Sequence, residues 1–467
     1  MKKQVFNPYM PLWEYVPDGE PHVFGDRVYV YGSHDRFDGK LFCLNDYVCW
    51  SAPVEDLSDW RCEGVIYRKT QALQGKIPLA MYAPDVTRGP DGRYYLYYCL
   101  SFVNNIQVAV CDTPAGQYQF YGLLRHPDGT VYGKKKEDKF CFDPAVLTDD
   151  DGRVWLYSGF QGLPYGSNSL RQNQCLELEA DMLTVKSARD LIPCPKTSKG
   201  TGFEGHEFFE ASSIRKFGGK YYFIYSSILS HELAYAVSDR PDGGFVYGGT
   251  LHSNCNIGID GNESPLCYWG NNHGSVEKIG EKYYIFGHRQ TNYHEFSRQA
   301  VAEEIRFEDG RFFPAEMTSC GLNGGPLRDT GEYPAVIACM LMGRNGACKI
   351  TKTGNRALHP TFTQEKPDGE TDSGNYIKNI SHGTLVGYKY FGFTAPRQLT
   401  LTLRGKGDGI ITLSHEPEGT PIGTLRVGSR SGWTKVSCPI TPEAGTKALY
   451  LRYYGLGSFD LRSLAFE

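Results

Sequence analysis

One short motif recurs along this chain at long and nearly constant intervals, and that recurrence limits the possible folds more than any other feature. The motif is a tight turn, then a basic residue, then an aromatic and aliphatic run. Five copies occur: Arg27-Val28-Tyr29-Val30-Tyr31, Arg93-Tyr94-Tyr95-Leu96-Tyr97, Arg153-Val154-Trp155-Leu156-Tyr157, Lys220-Tyr221-Tyr222-Phe223-Ile224 and Lys282-Tyr283-Tyr284-Ile285-Phe286. Each follows a turn dipeptide, Gly25-Asp26, Asp91-Gly92, Asp151-Gly152, Gly218-Gly219 and Gly280-Glu281, as closely joined antiparallel strands require. The basic residues are 66, 60, 67 and 62 positions apart. About 60 residues hold four strands of five or six residues with their loops, which is one propeller blade. The sequence therefore predicts an all-β chain whose first part, residues 1–320, is a five-bladed β-propeller. A β-sandwich would repeat its strands about every 8 to 12 residues and would not give one hairpin at five long intervals.

The repeat ends near Gln290, and Glu304 to Phe313 still reads as paired strands around Asp309-Gly310. From Ser319 to Leu327 the chain is loop-like, which sets a domain boundary near residue 320. Beyond it, Leu399-Thr400-Leu401-Thr402-Leu403, Ile410-Ile411-Thr412-Leu413 and Ala448-Leu449-Tyr450-Leu451-Arg452-Tyr453 alternate at close spacing. Residues 321–467 are expected to form a β-sandwich of the jelly-roll kind.

Charge excludes several classes of partner. With 49 Lys and Arg against 53 Asp and Glu, there is no surplus of positive charge for nucleic acid or for an anionic membrane. No apolar run approaches the length of a spanning helix, and the first residues lack the apolar stretch of a signal peptide, so a cytoplasmic location is expected. The 14 cysteines are scattered, without a Cys-x-x-Cys pair, and read as free thiols rather than zinc ligands.

In a propeller the first strand of each blade lines the axial channel, so equivalent positions converge. Nine or ten residues before the five basic residues stand Asp18, Ala83 with Pro84, Asp143, Glu210, and Asn272 with His273. Three blades thus present a carboxylate. Taken singly, Asp18 before Gly19 is a turn former and Asp143 before Pro144 a loop residue. As one register they point to a site that moves a proton or binds a cation, because clustered carboxylates raise one another's pKa. Glu204 and Glu207 are substitutes for Glu210 outside this register. Tyr82, Trp50 and Trp13 are candidates for aromatic stacking on a ligand, although most of the 63 aromatic residues must be core.

These residues carry a family likeness. The stretch from Asp18 to Phe24, Tyr31-Gly32-Ser33-His34-Asp35, Tyr82-Ala83-Pro84-Asp85, Phe142-Asp143-Pro144-Ala145-Val146, Phe209-Glu210-Ala211-Ser212, His273-Gly274-Ser275 and His288-Arg289 together resemble glycoside hydrolase family 43 over about 310 residues. The resemblance implies an inverting glycosidase on a five-bladed propeller. It makes Asp18 the general base, Glu210 the general acid and Asp143 the carboxylate that orients the acid and raises its pKa. His273 matches a channel histidine that touches a metal in some members, and Arg289 a sugar-contacting arginine. Two departures stand out. The family's first motif commonly reads Asp-Pro, whereas here Glu20 precedes Pro21, so Glu20 rivals Asp18; alignment on His22-Val23-Phe24 selects Asp18. Tyr82 stands where many members have Trp. The last domain, with Gly387 to Phe393 and Gly432-Trp433, resembles carbohydrate-binding module family 6, in which Trp433 would be structural.

The expected activity is release of terminal α-L-arabinofuranosyl or β-D-xylosyl units from oligosaccharides. A β-galactofuranosidase or other exo-glycosidase of the family, and a non-catalytic carbohydrate-binding propeller, are the alternatives. A retaining fructan-cleaving propeller would begin Asn-Asp-Pro-Asn and carry Glu-Cys, which this chain does not. No cofactor is required by such hydrolysis; a structural calcium is compatible with either domain, though no ligand set stands out.

Overall fold

The computed structural model describes residues 3–72, 79–161, 173–352 and 359–467. Five sheets follow one another along the chain, each an antiparallel meander. The first holds β1 (Glu20–Phe24), β2 (Arg27–Tyr31), β3 (Tyr47–Pro53) and β4 (Arg61–Tyr67). The second holds β5 (Asp85–Arg88), β6 (Tyr94–Cys99), β7 (Ile106–Cys111) and β8 (Gln119–Leu123). The third holds β9 (Ala145–Thr148), β10 (Val154–Ser158), β11 (Gln174–Leu178) and β12 (Val185–Asp190), and the fourth β13 (Phe208–Phe217), β14 (Lys220–Ser227), β15 (Glu232–Ser238) and β16 (Val246–Ser253). The fifth is three-stranded: β17 (Val276–Ile279), β18 (Lys282–Thr291) and β19 (His294–Ile305). Each recurring motif is the second strand of its blade. The turns before them need a left-handed residue, and Gly25 (φ 66°) and Gly280 (φ 62°) supply it.

The first strands form the ring. β5 lies against β9, β9 against β13, and β1 against both β5 and β17. Between β13 and β17 the link is polar: Arg215 Nε donates to Glu277 Oε2 at 3.0 Å and Ser213 Oγ to Ser275 Oγ at 2.7 Å. Gly19 and Gly274 form a parallel bridge that joins the first blade to the last. The N-terminal segment strengthens this closure. Asn7 Nδ2 donates to Glu303 Oε1 at 2.7 Å, and the Ala302 N–H donates to Asn7 Oδ1 at 3.0 Å.

The core lies between blades, which explains why the motif is apolar at consecutive positions. Successive strand residues face opposite sides, and both sides of a blade are covered by a neighbour. In β14, Tyr221, Phe223 and Tyr225 pack with Trp155 and Tyr157 of the third blade, whereas Tyr222 and Ile224 pack with Val276 and Ile285 of the fifth. Tyrosine suits this place because its ring fills the gap while its hydroxyl reaches a carbonyl at the edge. Tyr97 donates to Met182 O at 2.7 Å, Tyr157 to Pro241 O at 2.9 Å and Tyr31 to Pro114 O at 2.7 Å.

After a short β-hairpin (Phe307–Glu308 with Arg311–Phe312) the chain enters two six-stranded sheets packed face to face. Leu399, Leu401 and Leu403 of one sheet meet Ile411, Leu413, Leu449 and Leu451 of the other in a single core. The expected alternating strands lie within Gln398–Gly405, Asp408–Ser414 and Gly445–Leu456. The fold is thus all-β, a propeller followed by a sandwich. The two parts are bonded to each other: Ser319 N–H donates to Lys389 O at 2.6 Å, Asn292 N–H to Phe362 O at 2.8 Å, and Tyr15 Oη to Gln364 Oε1 at 2.7 Å. All 14 cysteines are free thiols. Among the described residues no helix is long and apolar enough to cross a membrane.

Candidate active site

A cavity of about 530 Å³ opens at one mouth of the channel. All five blades contribute to its lining, and the register read from the repeats is the pattern of contribution: Asp18, Ala83, Asp143, Glu210 and His273 all line it. Tyr82 lines it too, its ring 5.4 Å from that of Phe142. The backbone at the three acids is unusual. Asp18 (φ 59°), Asp143 (φ 43°) and Ala211 (φ 65°), which follows Glu210, all occupy the left-handed region. Each such residue costs on the order of 1–3 kcal/mol and persists where surrounding contacts hold it. Here one contact joins two of them, because the Ala211 N–H donates to Asp143 Oδ2 at 3.1 Å. The acid of the third blade thereby fixes the backbone that carries the acid of the fourth.

Asp18 is buried and stays ionised. Burial alone would raise its pKa, but the buried Arg298 guanidinium donates to its Oδ1 at 2.7 Å and holds the carboxyl below the usual range. Arg298 is itself locked by a two-pronged bond to Asp35, Nε to Oδ2 at 2.8 Å and Nη2 to Oδ1 at 3.0 Å. His288 Nδ1 lies 3.3 Å from Asp18 Oδ1. That nitrogen accepts the Asp18 backbone N–H at 3.4 Å while Nε2–H donates to Asn271 O at 2.8 Å, which assigns a neutral ring. Burial and the charge of Arg298 push its pKa down to about 3. His273 sits between the acids, with Nδ1 3.6 Å from Asp143 Oδ2 and 4.0 Å from Asp18 Oδ1. Burial lowers its pKa to about 4, so it too is neutral.

Glu210 is the opposite case. Burial first, and then the negative charge of Asp18, push its pKa up to about 8. Asp143 was expected to stay charged and to raise the acid. Instead its own pKa is raised by burial, by Glu210 and by Asp18. The two carboxyls therefore titrate as a pair above the ordinary range. Facing one cavity are a carboxylate held ionised and a carboxyl held protonated, the division of labour on which acid–base hydrolysis depends.

Other expected site residues lie elsewhere. Arg289 does not line the cavity: it is buried, donates to Ala338 O at 3.2 Å and to Gln299 Oε1 at 2.9 Å, and stacks on Phe362 against the sandwich. Strand parity is the reason. Arg289 pairs with Gln299 and Gln290 with Arg298 across β18 and β19, so the two arginines point to opposite faces. Trp50 is core: its indole N–H donates to Glu14 Oε2 at 2.9 Å and its ring packs 6.1 Å from Trp13. Glu20 is deeper in the channel, bonded to Arg215 at 2.9 Å. Glu204 accepts the Gly200 N–H, and buried Glu207 accepts Ser198 Oγ; neither faces the cavity. Trp433 is clad by arginines, with Arg404 4.2 Å and Arg462 5.5 Å from its ring.

Among the described residues, Glu20, His22 and Asp85 are the group close enough to share a cation. Arg215 occupies Glu20 Oε2 and His22 Nε2 bonds Asp85 Oδ1 at 2.6 Å, whereas the buried Glu20 Oε1 has no hydrogen-bond partner among the described residues. Sequence reasoning missed Arg298, Glu295 and Lys349, as well as the phenylalanine wall of Phe140, Phe142, Phe160 and Phe209. Of these only Phe142 and Phe209 adjoin a register acid in the sequence.

The model for glycosyl hydrolases family 43 matches residues 16–312. The chain belongs to that family. A relative in Thermoclostridium stercorarium, named xylosidase/arabinosidase, is 50% identical over 471 residues that span 99% of each chain. A glycoside hydrolase family 43 arabinoxylan arabinofuranohydrolase from Bacillus subtilis, solved in complex with cellotetraose, matches 98% of this chain and 97% of its own, with a TM-score of 0.51 at 20% identity. An exo-beta-1,3-galactanase from Phanerochaete chrysosporium, solved with galactose, matches 99% and 98% with a TM-score of 0.54 at 15% identity. At those identities the two structures speak for the fold, and they do so over propeller and sandwich alike.

Proposed function

We propose that this family 43 protein is an exo-acting, inverting glycosidase that releases terminal pentose units, α-L-arabinofuranosyl or β-D-xylosyl, from oligosaccharides. The observation that carries the reading is the pairing of an ionised Asp18 with a protonated Glu210 on opposite blades around one cavity. Asp18 is the general base that takes a proton from water, and Glu210 is the general acid that protonates the leaving oxygen. Asp143 is a positioning residue: it anchors the Ala211 amide and, as the acid's partner in titration, helps to keep a proton on the pair. In a single displacement the water oxygen bonds to the anomeric carbon as the glycosidic bond breaks. Its proton passes to Asp18 and the proton of Glu210 goes to the departing oxygen. The step needs no cofactor. The Thermoclostridium relative, similar over the whole chain, supports the choice of pentose substrates. Proton NMR of the sugar first released from an aryl pentoside tests the mechanism: inversion is expected, and a product that keeps the substrate's anomeric configuration refutes it.

A further inference from the structure

A lysine and a glutamate of the cavity, Lys349 and Glu295, have no part in the mechanism above. Lys349 comes from the sandwich, between a strand of one of its sheets (Met340–Met342) and a strand of the other (Thr361–Thr363). Its backbone is nevertheless fixed to the propeller. Trp269 and Lys349 form a parallel β-bridge, and the Ile350 N–H donates to Trp269 O at 2.7 Å. The ammonium stands 5.4 Å from the centroid of the Trp269 ring and reaches Ser230 Oγ at 3.4 Å. That is one long hydrogen bond for a group with three donors.

The side of the cavity on which Lys349 lies follows from its bond to Ser230. Its charge reaches Glu210 and Glu295, on both of which Arg298 also acts. Ser230 follows β14, in which Ser226 pairs with Glu210. Lys349 and Ser230 therefore lie on the side of the strand pair that carries Glu210. A general acid contacts the oxygen that departs, so this side faces the leaving group.

We propose that Lys349, delivered by the sandwich into the propeller's cavity, is a specificity-determining residue that hydrogen-bonds the hydroxyls of a leaving-group sugar, so that the site is built for a glycosyl rather than an aryl leaving group. The inference rests on Glu210 being the acid, as proposed above. It gives the second domain a task in substrate choice, with Ser230 and Glu295 offering further donors and acceptors to the same sugar.

The test compares full-length wild type, Lys349→Met and Lys349→Arg on a pentose disaccharide and on the 4-nitrophenyl glycoside of the same pentose. Loss of a charged hydrogen bond to a buried hydroxyl lowers kcat/KM by about 10- to 100-fold. That loss is expected for Lys349→Met on the disaccharide, with less than about a threefold change on the aryl glycoside, and Lys349→Arg is expected to recover much of it. An equal loss on both substrates, as a merely structural lysine would give, overturns the proposal. So does an undiminished rate on the disaccharide. A wild type inert on both substrates would instead defeat the hydrolase assignment, which keeps the two failures apart.

Discussion

Replacing Glu210 by Gln removes a proton and little else, since the side chains are nearly isosteric. General acid catalysis contributes about 10²- to 10⁴-fold, or roughly 3 to 5 kcal/mol of barrier. The loss should depend on the leaving group. An alkyl or sugar alkoxide cannot depart without a proton, whereas a dinitrophenolate can, so Glu210→Gln is expected to lose the full factor on an oligosaccharide and far less on a dinitrophenyl pentoside. Wild-type activity should fall above a pH of about 8, where the acid gives up its proton, and the variant should lack that limb. Stability supplies an independent reading. The folded pKa of Glu210, about 8, lies above its ordinary 4.5, so the folded state holds the proton more tightly than the unfolded chain. Its contribution is fully present below about pH 4.5 and is lost as pH rises toward 8. Glu210→Gln should therefore flatten the fall in Tm over that window. The assay is kcat and kcat/KM for the two leaving groups from pH 4 to 10, with thermal unfolding alongside. Equal losses on both substrates, or an alkaline limb that survives in the variant, would refute the assignment of the acid.

Asp18→Asn should abolish water activation, with a loss of at least about 10³-fold on any leaving group; added azide should restore turnover and give a glycosyl azide of inverted configuration, and an azide of retained configuration would mean a covalent intermediate on another residue and refute single displacement. Arg298→Met strips the partner from Asp18 and Asp35 together, so folding stability should drop by about 3–5 kcal/mol and the acidic limb of the rate profile should move to higher pH as the Asp18 pKa rises. An unmoved acidic limb in a folded Arg298→Met protein would remove Arg298 from the control of the base. Glu20→Gln should keep kcat/KM within about threefold, because Glu20 is bonded to Arg215 below the cavity; a loss as large as that of Asp18→Asn would make Glu20 the base.

The repeats disclosed the acids because a propeller converts sequence register into spatial convergence. Counting back from each basic residue finds Asp18, Ala83 with Pro84, Asp143, Glu210 and Asn272 with His273, and of these Asp18, Ala83, Asp143, Glu210 and His273 line the cavity. What the register could not reveal lies off the first strands. Arg298 is on β19, the third strand of the last blade, and it reaches Asp18 only because the ring closes there. The expected arginine, Arg289, sits on the other face of the same strand pair, an error of parity that no motif comparison detects. Trp50 carried the composition of a sugar platform, yet its strand turns it toward Val28, Val30 and Phe286 in the core between the first and last blades. Lys349 was beyond reach for a different reason. Nothing in a sandwich sequence shows which of its loops will be stitched to a neighbouring propeller.

The charge balance of the site explains why a glutamate near neutral pH can serve as an acid. Around the cavity stand Asp18, Asp143, Glu210 and Glu295, and Asp35 lies behind them; the cations are Arg298 and Lys349, while His273 and His288 are held neutral. Arg298 is committed to Asp18 and Asp35, and Lys349 acts on Glu210 and Glu295 from one side only. Carboxyls therefore outnumber the cations that face them. In a poorly hydrated space that excess is relieved most readily by protons, and they settle on the Asp143 and Glu210 pair, which feels the charge of Arg298 but is not hydrogen-bonded to it. The same imbalance accounts for the ionised Asp18, because the buried cation goes to it. The proposed acid and base, of similar chemistry and on blades of one repeat, are thus set apart by the placement of a single arginine that the repeat itself does not contain.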